Sequence, residues 1–251
     1  MAGMSDAPGM YRVAKQVVQP FMNRWVHLTV DGLDNVPRET GVILACNHLS
    51  FIDSLVLPIN LPRPLYFLGK ADYWDSWRTR WFFQSVGVVP VQREGGAAGM
   101  ASLQTGISIL ESGDAVGIYP EGTRSPDGRL YRGKTGPVRM ALAAGVDIVP
   151  CAVIGTDRAQ PPGAYRISRE PVTVRYGTPL DLSRYADQAE DPFALRAATD
   201  EVMYEIMMLS GQEYVDEYAS RVKSGSVEAV PAELDAPRQL VHHEEQIRRA
   251  S

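Results

Sequence analysis

His48 and Asp53 stand five positions apart in Asn47-His48-Leu49-Ser50-Phe51-Ile52-Asp53. An imidazole within hydrogen-bond reach can remove a proton as a general base. A carboxylate on its far ring nitrogen fixes the tautomer and supports the cation. Five residues are about 500° of ideal helix, so the two would not share a face of one helix containing both. They meet only if His48 lies in a turn and Asp53 in the first turn of the helix that follows. The bland alternative makes His48 a helix cap and Asp53 a partner for the helix dipole. Histidine supply favours the chemical reading. The chain has four: His27 alternates with Val26, Leu28 and Val30 like a strand residue, and His242 and His243 lie in a polar tail.

The elements around the pair must supply that turn. Val42 to Cys46 is an apolar run that reads as a buried strand, placing His48 where strand gives way to helix. Open α/β sheets bind ligands at such carboxyl ends. Ala115 to Tyr119 reads as a second buried strand, followed by Pro120-Glu121-Gly122-Thr123-Arg124-Ser125. Gly122 lets the backbone approach a ligand, the Thr123 and Ser125 hydroxyls can donate to an anion, and the Arg124 guanidinium can grip phosphate through two parallel bonds. Gly87 to Val91 is a third apolar run, ending through Gln92 in Arg93, and Ile148 to Val153 a fourth. Together they place His48, Arg93, Glu121 and Arg124 at the ends of strands that could be neighbours.

These four blocks, in this order, resemble the glycerolipid acyltransferase family that includes 1-acylglycerol-3-phosphate acyltransferases. The resemblance covers Val36 to Ala219. Two positions depart from the family pattern: Tyr119 replaces the usual Phe, and Gln92 the frequent Asp or Asn. The resemblance implies acyl transfer from a thioester to a lipid hydroxyl by direct attack. His48 would be the base and Asp53 its support. Arg93, Glu121, Gly122, Thr123 and Arg124 would form the acceptor-phosphate site, with Asn47, Ser125 and Lys134 as accessories and Arg132 beside Lys134 in a basic loop. Backbone N–H groups near the His48 turn are the expected oxyanion donors. The implied acceptor is 1-acylglycerol 3-phosphate, with glycerol 3-phosphate, 2-acylglycerol 3-phosphate or another lysolipid as alternatives. Acyl-CoA is the expected co-substrate, acyl carrier protein the other donor, and no cofactor is implied.

Other chemistries fit this sequence less well. Cys46, two residues before His48, could be a thiol nucleophile, but it sits inside an apolar run, where free cysteines are commonly core. No Gly-x-Ser-x-Gly elbow occurs. Gly128 to Thr135 matches the P-loop pattern Gly-x4-Gly-Lys-Thr, yet Pro120 to Asp127 separate it from the nearest strand and Pro137 follows closely. A lipid carrier without turnover would not need the His48–Asp53 pair. Histidines and cysteines show no metal-ligand spacing, so no metal is expected. The formal net charge of −5 disfavours nucleic acid, and two cysteines give no disulfide framework.

The expected fold is a single α/β domain with a largely parallel central sheet flanked by helices. Met100 to Gly113, Pro137 to Gly145 and Pro192 to Leu209 read as helices, and Val172 to Tyr176 as a strand. Residues 1–30 form an N-terminal segment, 31–220 the catalytic domain, and 221–251 a polar tail. No apolar stretch approaches the ~20 residues that span a bilayer, and no signal peptide is visible. Met10, Val13, Val17, Phe21 and Trp25 form a helical apolar stripe, widened by Val18, Met22 and Val26, beside Arg12, Lys15 and Arg24. Trp74, Trp77 and Trp81 recur at helical spacing with Arg78, Arg80 and Phe82. They suit membrane or acyl-chain contact. The expected location is therefore peripheral, on the cytoplasmic side of a membrane.

Overall fold

The computed structural model describes residues 16, 19–70, 88–91 and 96–226. Arg93, Gln92, Trp74, Trp77, Trp81, Phe82 and the tail from 227 onward lie outside the described residues.

Val42–Cys46 forms β2, and all five of its residues are buried. Burial on both faces explains why the run is continuously apolar rather than alternating. Val42, Leu44 and Cys46 enter one core, while Ile43 and Ala45 enter the other. Each fully buried Val, Leu or Ile side chain contributes roughly 1.5–3 kcal/mol through removal from water.

Seven strands form the main sheet: β1 (Leu28–Asp31), β2, β3 (Leu65–Lys70), β4 (Val88–Val91), β5 (Ala115–Ile118), β7 (Ile148–Ile154) and β8 (Val172–Tyr176). Their order is β1-β8-β7-β2-β5-β3-β4, and only the β7–β8 pairing is antiparallel. Thus β7, β2 and β5 are parallel neighbours at the centre, and their carboxyl ends share one edge. The helix α1 (Asp53–Ile59) buries Val56, Leu57 and Ile59 on one face of the sheet. On the other face lie α2 (Gly96–Glu111), α3 (Gly136–Ala144) and the long helix Pro192–Ser210, whose Leu195, Val202 and Ile206 are buried with Ile107, Leu110, Val138 and Met140. The α3 C-terminus is set by Gly145 in the left-handed region, as the sequence pattern required. The expected α/β domain with a largely parallel sheet is therefore the observed fold.

Beyond β7 a single helical turn, α4 (Thr156–Ala159), precedes β8, and the long helix Pro192–Ser210 is α5. After it, β9 (Tyr214–Val215) pairs in parallel with β6 (Leu130–Tyr131), and α6 (Ala219–Lys223) follows. Tyr131, Val215 and Ala219 form a small separate core, against which Val222 packs. The chain is thus folded across the boundary drawn at 220/221, because this clip ties α6 to the loop after β5.

Two local expectations change. His27 is not a strand residue: it has φ of 43° in the turn before β1. Residues 19–25 are helical, but the apolar stripe there divides: Met22 and Val26 are buried in the core, whereas Phe21 is 60% exposed.

Candidate active site

β2 ends at Cys46, and the chain turns through Asn47–Ile52 into α1. Asp53 stands in the first turn of that helix. The turn brings His48 Nδ1 to 2.8 Å from Asp53 Oδ2. The same oxygen accepts the N–H groups of Leu49 at 2.7 Å and Ser50 at 2.8 Å. One buried carboxylate oxygen therefore both folds the turn and holds the ring. An ionised Asp53 accepts the Nδ1 proton, which leaves Nε2 with its lone pair. The His48 side chain is 16% exposed, and among the described residues Nε2 has no hydrogen-bond partner. That is the arrangement of an accessible base with a fixed tautomer.

The imidazole is also held by its face. The Tyr119 ring lies 3.9 Å from it, centroid to centroid, at an interplanar angle of 9°. Tyr119 in turn stacks on Phe67 at 5.8 Å, and its hydroxyl meets Ser54 Oγ at 2.9 Å. Phe67 fits because Gly117 has no side chain: a Cβ there would approach the ring to 2.5 Å. Burial, then the Asp53 charge, pushes the Tyr119 hydroxyl well above its usual range. It is a neutral hydrogen-bonding group.

Glu121 joins the two motifs directly. Its Oε1 accepts the His48 N–H at 3.1 Å and its Oε2 the Tyr131 N–H at 3.0 Å. Burial raises its pKa to about 8, outweighing these two donors. The Ser125 N–H donates to the His48 carbonyl at 2.7 Å, and Ser125 Oγ to the Arg129 carbonyl at 2.7 Å. Ser125 thus builds the loop. Asn47 is buried and anchors to β7, accepting the Val153 N–H at 2.7 Å and donating to the Val153 carbonyl at 3.0 Å. Its amide also donates to Gln212 Oε1 at 2.7 Å, and Gln212 donates to the Gly128 carbonyl at 2.6 Å.

The cationic side is more open. Gly122 has φ of 73°, and Lys134 Nζ lies 2.9 Å from where its Cβ would stand. Arg124 is exposed at the next turn of the loop, and Lys223 Nζ donates to Thr123 Oγ1 at 3.0 Å. The structure therefore brings together His48, Asp53, Glu121, Gly122, Thr123, Arg124, Asn47, Ser125 and Lys134. Sequence reasoning missed Gln212, Gln160, which accepts from Ser50 Oγ at 3.2 Å, and Lys223. All three are ordinary polar residue types far along the chain, with no local signal.

One expectation is corrected by this geometry, and two rival chemistries lose their footing. The His48, Leu49 and Ser50 N–H groups are committed to Glu121 and Asp53, so they are not oxyanion donors. The Cys46 thiol is buried and pushed well above its ordinary pKa, first by desolvation, and is unsuited to attack. The Gly128 to Thr135 match is no phosphate cradle, because Leu130–Tyr131 within it are the buried strand β6. Among the described residues no cluster of His, Cys, Asp and Glu could hold a metal ion, and no helix is long and apolar enough to cross a membrane.

Comparison with known proteins bears on the family and the fold. The chain is 33% identical over 138 residues to the chloroplast 1-acyl-sn-glycerol-3-phosphate acyltransferase of Arabidopsis thaliana, covering 55% of this chain and 38% of that protein. It is 29% identical over 148 residues to the 1-acyl-sn-glycerol-3-phosphate acyltransferase of Bacillus subtilis, covering 58% and 72%. The chain thus spans well under half the length of the plant relative. In fold it is similar to the crystal structure of the 1-acyl-sn-glycerophosphate acyltransferase from Thermotoga maritima, with a TM-score of 0.63 and 24% identity over 82% of this chain and 83% of that one. The Acyltransferase family model matches residues 27–154, which carry β1 to β7, the His48–Asp53 turn and the Glu121–Ser125 loop. The chain belongs to the Acyltransferase family.

Proposed function

We propose that this protein transfers a fatty acyl group from a thioester to the free hydroxyl of 1-acylglycerol 3-phosphate, forming phosphatidic acid. The observation that carries the mechanism is the His48–Asp53 contact of 2.8 Å with Nε2 left open. The acceptor hydroxyl oxygen attacks the thioester carbonyl as its proton passes to His48 Nε2. The C–S bond then breaks, and the departing thiolate takes that proton. Ester and thiol are the products, and no acyl-enzyme forms. Asp53 stabilises the transient imidazolium.

Thr123, Arg124 and Lys134 bind the acceptor phosphate on the open side of the loop. Glu121 shapes this pocket by holding the loop against the His48 backbone. The relatives named as 1-acyl-sn-glycerol-3-phosphate acyltransferases support this acceptor over glycerol 3-phosphate. Acyl-CoA is the donor of choice for the assay, with acyl carrier protein as the second. The lipid acceptor implies work at a membrane surface, which the proposal places on the cytoplasmic side, and exposed Phe21 beside Trp25 and Arg24 is a fitting contact.

The test is thiol release from palmitoyl-CoA with glycerol 3-phosphate, 1-acyl- and 2-acylglycerol 3-phosphate as separate acceptors. Release should depend on the 1-acyl acceptor. It should fall by about 10²–10⁴-fold in His48→Ala without loss of the fold. Near-normal turnover in that variant would refute the mechanism. Silence with all three acceptors and both donors would refute the phosphatidic acid assignment.

A further inference from the structure

The cations around the Glu121–Ser125 loop fall into two groups. Arg129 is paired with Asp127 at 2.6 Å, Arg132 with Asp216 at 3.3 Å, and Arg221 with Glu217 at 3.1 Å. Arg124, Lys134 and Lys223 have no carboxylate partner within 4 Å among the described residues. These three lie around Gly122–Arg124: Lys134 against Gly122, Lys223 on Thr123, and Arg124 in the loop itself. Like charges gathered on one short loop repel one another, and an anion between them offsets that cost.

Lys223 arrives there by construction rather than by a free side chain's chance. Pairing of β9 with β6 and burial of Ala219 against Tyr131 and Val215 fix α6 beside the loop. The Arg132 N–H donates to the carbonyls of Val215 and Glu217 at 3.1 and 3.0 Å, and its guanidinium covers the Tyr218 ring at 5.6 Å. The last turn of α6 then delivers the ammonium to Thr123. Burial and the nearby Arg124 charge pull the Lys223 pKa below its usual value, whereas Glu121 acts in the opposite direction. With its own pKa at about 8, Glu121 is largely neutral near pH 7 and leaves the three cations uncompensated.

We infer that Lys223 is a phosphate-binding residue of the acceptor site, presented from the C-terminal clip to complete a three-cation cradle with Arg124 and Lys134. The inference rests on the proposed phosphorylated acceptor and names a recognition group supplied from outside the residues matched by the family model. Its consequence is selectivity: an acceptor lacking a phosphate would leave three clustered cations without a counter-ion.

Two variants of the full chain test it, Lys223→Gln, which keeps a donor for Thr123 but no charge, and Lys223→Arg, which keeps the charge. Thiol release with 1-acylglycerol 3-phosphate gives KM and kcat. Titration calorimetry with a short-chain 1-acylglycerol 3-phosphate gives Kd without turnover. Lys223→Gln should raise KM and Kd by about five- to thirtyfold with kcat within about twofold, the range for a charge-assisted contact at a solvent-open site. Lys223→Arg should stay within about threefold of the wild type. Full rescue by Gln would show that Lys223 only steadies the loop, and equal losses in Gln and Arg would show a packing role. Either result overturns the inference.

The two arms separate this inference from the assigned reaction. If the wild type binds the phosphorylated amphiphile without turning it over, the reaction is wrong, and Kd alone decides the role of Lys223. A wild type that does not bind it overturns both.

Discussion

Glu121→Gln probes the junction between the two motifs through its effect on stability with pH. The wild-type carboxyl is buried, with one backbone N–H on each oxygen, and burial raises its pKa from 4.5 to about 8. The native state therefore holds this proton more tightly than the unfolded chain does. Its contribution to stability is fully present below pH 4.5 and is lost as pH rises through about 8. At about 1.4 kcal/mol per pH unit, the displacement from 4.5 to about 8 amounts to about 5 kcal/mol in total. About 2.5 kcal/mol of that falls between roughly pH 5.5 and pH 7.5. Glutamine does not titrate, but its NH2 must face a backbone N–H, which costs about 1–3 kcal/mol. Urea unfolding of both proteins at about pH 5.5, 6.5 and 7.5, followed by tryptophan fluorescence, gives the difference directly and cancels the other ionising groups. Lower stability of the variant at acid pH should shrink, vanish or reverse by pH 7.5. A difference constant within about 0.5 kcal/mol across the range would refute the reasoning, since it would mean an ionised Glu121 throughout.

Further outcomes follow from the same geometry. Asp53→Asn leaves an amide oxygen where Oδ2 accepts from His48, Leu49 and Ser50, but removes the negative charge that stabilises the imidazolium. Steady-state kinetics should show kcat lower by about 10²–10⁴-fold at unchanged helical content. Gly117→Ala drives a Cβ to within 2.5 Å of the Phe67 ring, so urea unfolding should show a loss of about 1–3 kcal/mol. The displaced Phe67–Tyr119–His48 stack should lower kcat as well. Cys46→Ala should leave kcat within about twofold, since the thiol is buried and protonated, and a collapse of turnover would revive the nucleophile it excludes.

Much of this site is legible without coordinates, and particular residues show why. The unbroken burial of Val42–Cys46 is written as a continuous apolar run, and Gly145 after α3 marks a stop that the backbone obeys. His48 and Asp53 need only a strand-to-helix turn between them, a local event that spacing specifies. The same local logic fails where no period exists. His27 imitates strand alternation but occupies a left-handed turn, and the stripe through Met22 and Phe21 divides between core and solvent. Gly128 to Thr135 imitates a phosphate loop until β6 pairing with β9 makes a strand of its centre.

The sequence by itself determined the chemistry available: a base with its carboxylate, a loop able to meet phosphate, and apolar runs that must share one sheet. Only the tertiary structure decided which groups hold which. Glu121 reaches His48 across 73 positions, Gln212 reaches Asn47 across 165, and Lys223 reaches Thr123 across 100. Local spacing follows from fixed backbone geometry, which every helix and strand repeats. Contacts at such separations depend on strand order and on the β6–β9 clip, and neither leaves a periodic mark on the chain.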